Sequence, residues 1–109
     1  MSNQASPAPA RTLAQVREDV AALDRQIVAL LGQRALLADE AVAHKASVED
    51  VVDPRLRDGL LQRVAAWAAA SGTPEALARG VYTAILEYGV RRQVDLFLSR
   101  TRPAGTARD

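Results

Sequence analysis

From Thr12 to about Ser47 the apolar residues recur at alternating steps of three and four: Leu13, Val16, Val20, Leu23, Ile27, Leu30, then Arg34, Leu37, Ala41 and His44. That period is the a/d seam of a helix that packs along its length against other helices. Thr12 and Gln15 form a capping box at its start, no Pro interrupts it, and Gly32 costs only about 1 kcal/mol relative to Ala. After Lys45 the heptad is lost over 46–52, and Asp53-Pro54 then supplies an N-cap and a proline at the first helical position. The second helix is expected from Pro54 to about Ser71, with Leu56, Leu60, Leu61, Val64, Trp67 and Ala68 at helical spacing and Gly72 as its C-terminal glycine. Thr73-Pro74-Glu75 repeats the start signal, and a third helix carries Leu77, Val81, Ile85, Tyr88, Leu96 and Phe97 to about Arg100.

The expected fold is therefore all-α, three helices with one long N-terminal helix and neither strand nor repeat. A first helix about 50 Å long cannot be covered by two shorter helices of its own chain. The pattern thus predicts an intertwined homodimeric helical bundle of closed two-fold symmetry. Residues 1–11 and 101–109 are polar and rich in Pro, Gly and Ala, and are expected to be flexible tails around one helical domain at 12–100.

Composition mainly excludes. The chain has 109 residues, 49% of them hydrophobic and 25% charged, with a net charge of +1. That balance suits one globular domain and gives no electrostatic reason to expect nucleic acid or an anionic membrane. Zero Cys excludes disulfides, and a single His with scattered acids offers no metal set. With no signal-peptide core and no membrane span, the cytoplasm is the expected compartment, and no cofactor is expected. A Gly-rich phosphate loop and a GxSxG elbow are both missing, which leaves little support for covalent or nucleotide chemistry.

What remains is cations and an amide. Arg34 interrupts the seam, where an unpaired buried guanidinium would cost roughly 3 to 5 kcal/mol. Lys45 follows eleven residues later, which on one continuous helix returns it to within about 20° of the same face. Arg17 falls about 100° away, so it would join that wall only from a second chain. On the third helix Ile85, Gly89 and Gln93 share one stripe, and Gly89 opens space beside it. A pocket walled by Arg34, Lys45 and Gln93, with Arg17 entering from the partner, would suit a small dianion with a hydrogen-bond acceptor between its carboxylates.

These residues resemble the all-helical chorismate mutases. The first helix of that family carries Leu-x-x-x-Arg, then Leu-Asp, then an Arg, then a Lys eleven residues on. Here Leu13 to Arg17, Leu23-Asp24, Arg34 and Lys45 match in order, followed by Asp53-Pro54 and Gln93, and the likeness spans about residues 13 to 100. Within the family, Lys45-Ala46-Ser47, Trp67 and the ungapped spacing from Arg17 to Gln93 are most similar to the isochorismate pyruvate lyases. The resemblance implies a pericyclic enzyme that rearranges chorismate to prephenate or, in the alternative branch, forms salicylate and pyruvate from isochorismate. It implies Lys45 and Gln93 as catalytic donors to the ether oxygen of the breaking bond. Arg17, Arg34, Asp53, Arg57, Gly89 and Val90 are implied around the substrate, Arg17 and Arg34 each on a carboxylate.

The chain departs from the pattern at helix two. Mutases typically hold the C4 hydroxyl of chorismate with a Glu just after an Arg, and here Leu56 and Arg57 take those places. Gly89 likewise lacks the small hydroxyl side chain that some mutases have there. Structural readings stand beside the functional ones: Arg34 as an interface ion pair, Lys45 as a counter-charge to a helix end, Trp67 as core and His44 as a seam residue. Arg91, Arg92, Arg100 and Arg102 read as a solvated basic end. A non-catalytic helical dimerisation or regulatory module is the alternative from another class.

Overall fold

A computed structural model of the chain describes residues 10–101. Residues 1–9 and 102–109, read above as parts of the tails, lie outside the described residues. The elements are α1 (Leu13–Val42), α2 (Val48–Val51), α3 (Pro54–Ser71) and α4 (Glu75–Thr101). Three are the long helices expected, and α2 is a single turn that was not. No helix among the described residues is long and apolar enough to cross a membrane.

The ends of these helices follow local chemistry. Thr12 and Gln15 make the reciprocal box, the Gln15 N–H donating to Thr12 Oγ1 at 3.1 Å and the Thr12 N–H to Gln15 Oε1 at 2.9 Å. Asp53 caps α3 by accepting from the Arg55 N–H at 2.9 Å, with Pro54 in the first turn. Gly72 ends α3 in the left-handed region at φ 72°, where its N–H and that of Thr73 return to the last carbonyls. Ser47 caps α2 through its hydroxyl, which accepts from the Asp50 N–H at 3.3 Å.

The first helix is shorter than the heptad suggests. It stops at Val42, and the next three N–H groups bond three residues back, Ala43 to Glu40, His44 to Ala41 and Lys45 to Val42. That tightened turn leads to Ser47 and the start of α2.

The described chain divides into two compact units, one ending at Arg34 and the other beginning at Ala35. In the first, Arg11 pairs with Asp19 on the opening turns of α1. Its seam residues Leu13, Val16, Val20, Leu23, Ile27 and Leu30 are 41% to 63% exposed. In the second, α4 packs on α3 and α2. Val42, Val51 and Phe97 form a buried cluster, flanked by Val48, Val94 and Leu96, and Val64 and Ala68 are buried on α3. Each full burial of a Val or Phe contributes about 1.5 to 3 kcal/mol, so this small core helps to hold the end of α1 on α4. Trp67, expected in the core, is instead 57% exposed in the single chain, as are Leu56 at 55% and Leu77 at 60%. Helical spacing identifies an apolar face but not whether its own chain covers it.

Candidate functional site around Lys45 and Gln93

Lys45 lies in the turn after α1, not on the helix, so the helical-phase argument that aligned it with Arg34 does not hold. Its position is set by backbone bonds on both sides. The Lys45 N–H donates to the Val42 carbonyl at 3.0 Å, and the Lys45 carbonyl accepts from Arg100 Nη2 at 2.8 Å. The following N–H, that of Ala46, donates to Asp50 Oδ2 at 3.1 Å. The side chain is half-buried.

Gln93 sits on α4 between two ties to the end of α1. On one side Arg92 donates from Nε and Nη2 to the two Asp39 carboxylate oxygens, each at 3.2 Å, and on the other Val94 packs against the Val42 cluster. Seven residues along a helix return to within about 20° of the starting direction, so Gln93 and Arg100 share one stripe of α4 with Phe97 between them. Phe97 meets Val42 in the core, and Arg100 reaches the Val42 and Lys45 carbonyls. Gln93 therefore lies on the stripe of α4 whose far end, Arg100, reaches the turn that carries Lys45.

Around this pair, Gly89 and Val90 are half-buried one turn earlier on α4, and a Cβ added at Gly89 would stand 4.0 Å from Gln93 Nε2. Asp53 is the N-cap of α3 and is also gripped by its neighbour, Arg55 donating from Nε and Nη2 at 3.2 and 3.1 Å. Those hydrogen bonds from Arg55 hold the Asp53 carboxyl below the usual carboxylate range, and the nearby Lys45 ammonium adds to the effect. Arg57 is half-buried in the first turn of α3. Arg17 and Arg34 belong to the first unit, Arg17 exposed and Arg34 half-buried.

The basic end of α4 is not simply solvated. Arg92 and Arg100 both bind the end of α1, and the Arg100 guanidinium also lies over the Phe97 ring, 4.5 Å from its centre. Arg91 is exposed, and Arg102 lies outside the described residues. The one available signal for Arg100 is its helical spacing from Gln93 and Phe97. His44 is exposed beyond the helix end rather than part of a packed seam.

Chemically, the turn and the stripe present an ammonium and a neutral amide. No group of His, Cys, Asp and Glu that could hold a metal occurs among the described residues. The depression at the start of α1, lined by Ala10, Arg11, Thr12, Gln15, Glu18 and Asp19, sets two carboxylates against one guanidinium, the wrong balance for a dianion.

Residues 16–94 match the sequence profile of the family described as chorismate mutase type II. No curated protein matches the chain. The matched segment runs from the seam before Arg17 through Lys45 to the residue after Gln93, and so contains every candidate site residue. The chain belongs to the chorismate mutase type II family and is an isomerase that rearranges chorismate to prephenate.

Proposed function

We propose that Lys45 and Gln93 are the donors that drive this rearrangement. The reaction breaks the ether C–O bond and forms a C–C bond within one molecule, so no proton, electron or co-reactant has to be supplied. What is required is a compressed diaxial conformer, an orientation effect, and donors for the charge growing on the ether oxygen. The observation that supports this assignment is the hydrogen bond from Arg100, which by helical spacing shares a stripe of α4 with Gln93, to the Lys45 carbonyl. A neutral amide at Gln93 donates without needing to be protonated, which favours turnover near neutral pH.

In this reading Arg34 holds one carboxylate of the substrate and Arg17 the other, the bidentate use for which a guanidinium is suited. Arg17 enters from a second copy. The dimer is supported by the exposed seam of α1, because soluble monomers seldom leave an apolar stripe of that length open. Asp53, Arg57, Gly89 and Val90 complete the surroundings of the substrate, and without any Cys the protein needs no oxidising compartment.

The lyase branch is a second reading, favoured by one feature: Leu56 and Arg57 stand where mutases hold the C4 hydroxyl with Arg and Glu. Isochorismate carries its hydroxyl elsewhere and does not need that pair. Giving the purified protein chorismate and isochorismate separately, and identifying the products, decides between them. Prephenate from chorismate is the expected product. Salicylate and pyruvate from isochorismate, at a much higher kcat/KM, would move the chain to the lyase branch.

A further inference from the structure

We infer that Arg100 is a positioning residue that fixes Lys45 for the reaction, and this rests on the reading of Lys45 as a donor to substrate. Arg100 lies 55 residues from Lys45 in sequence, yet Nη2 donates to the Lys45 carbonyl at 2.8 Å while Nη1 donates to the Val42 carbonyl at 2.7 Å. The two carbonyls are the last of α1 and that of the reacting residue. One planar guanidinium therefore fixes the distance between the end of the helix and Lys45.

The need for such a clamp follows from how α1 ends. Its last turn has no basic residue of its own, so its terminal carbonyls lack both a counter-charge and a side-chain donor from the same helix. The stretch from Ala43 to Ala46 contains neither Gly nor Pro to set the turn, so the register depends on hydrogen bonds. Arg100 is itself held, its guanidinium resting on Phe97, which is 7% exposed and packed with Val42 and Val51. Core packing thus sets the arginine, the arginine sets the Lys45 peptide, and the long lysine side chain starts from a fixed point.

Arg92 is the internal control. It also joins α4 to α1, through Asp39, but makes no bond to the turn. A residue that only fastened the helices together would behave alike at both positions. A charge that only answered the helix end would be replaceable by lysine.

The test is steady-state kinetics on chorismate for Arg100→Ala, Arg100→Lys, Arg92→Ala, Lys45→Ala and the double variant Lys45→Ala/Arg100→Ala, with helicity and sedimentation recorded for each. A misplacement of about 1 Å at a reacting group lowers the rate on the order of 100-fold, so Arg100→Ala is expected to lower kcat about 10- to 100-fold with KM changed less than about threefold. Arg100→Lys is expected to recover thermal stability but not kcat, and Arg92→Ala to keep kcat within about twofold. In the Lys45→Ala background, removal of Arg100 is expected to have little further effect, as for two residues acting through one step. Should Arg100→Ala not fold, Arg100→Gln, which retains one donor, is scored by the same criteria. Wild-type kcat in Arg100→Ala, rescue of kcat by lysine, or an equal loss in Arg92→Ala would overturn the clamp while Lys45→Ala remained inactive. Wild-type kcat in Lys45→Ala would instead overturn the site reading on which the clamp rests.

Discussion

Asp39 on α1 and Arg92 on α4 meet at two points, both carboxylate oxygens accepting from the guanidinium at 3.2 Å across 53 residues of sequence. The pair raises the Arg92 pKa through those hydrogen bonds and the Asp39 charge. It joins α4 to the last turn of α1.

Because the pair is partly open to water, it should contribute modestly and be weakened by salt. Arg92→Ala and Asp39→Ala are each expected to lower Tm slightly, with the double variant no worse than either single one. The coupling should shrink in 1 M salt. Additive losses at both salt levels would show that the two side chains do not interact in solution.

Asp53 supplies an acid-dependent part of the stability. Its folded pKa is lowered, chiefly by the Arg55 side-chain hydrogen bonds, so the unfolded state takes up its proton first as pH falls. The contribution is complete above the unfolded carboxylate value of about 3.9 and is lost as pH drops through the lower folded value. Asp53→Asn keeps a capping oxygen but cannot ionise. Chemical denaturation at several pH values from 6 to 3 should therefore show a shallower acid decline in this variant than in the wild type.

Two glycines should respond in opposite directions to the same substitution. Gly72 has φ 72°, so Gly72→Ala is expected to destabilise by about 1 to 2 kcal/mol. Gly80 lies inside α4 with nothing near its added Cβ, and Gly80→Ala is expected to stabilise by up to about 1 kcal/mol. Denaturant midpoints compare the two directly.

The exposed seam carries the prediction about assembly. Ile27 is 53% exposed on α1 and is not among the substrate residues. A charge placed in a buried dimer interface is strongly unfavourable. For the proposed dimer, in which Arg17 enters from a second copy, Ile27→Asp should therefore shift sedimentation from dimer to monomer and remove activity. A variant that stayed dimeric and fully active would place the interface elsewhere.

Much of the architecture was legible because it depends on near neighbours. The Thr12 and Gln15 box, the Asp53-Pro54 start and the Gly72 stop each involve residues within a few positions of one another, and all three occur as expected. The end of α1 was not legible, since Ala41 and His44 continue the heptad although the helix stops at Val42. Beside the local Ser47 cap of α2, that end carries a tertiary contact, Arg100 on the Val42 and Lys45 carbonyls, which no local pattern encodes. The same limit applies to Trp67, whose helical spacing is that of a core residue and whose surface is open in the single chain. Lys45 and Gln93 were singled out as candidates by their order along the chain. The Gln93 stripe followed from helical spacing, whereas the turn that carries Lys45 emerged only from the fold.

In the proposed mechanism Lys45 supplies charge stabilisation to the breaking ether bond, and the decisive measurement is the rate of prephenate formation by Lys45→Ala. Loss of one preorganised donor should lower kcat on the order of 100- to 1000-fold, with helicity and sedimentation unchanged. A kcat within about twofold of wild type, on the scale where 1.36 kcal/mol is tenfold, would contradict it.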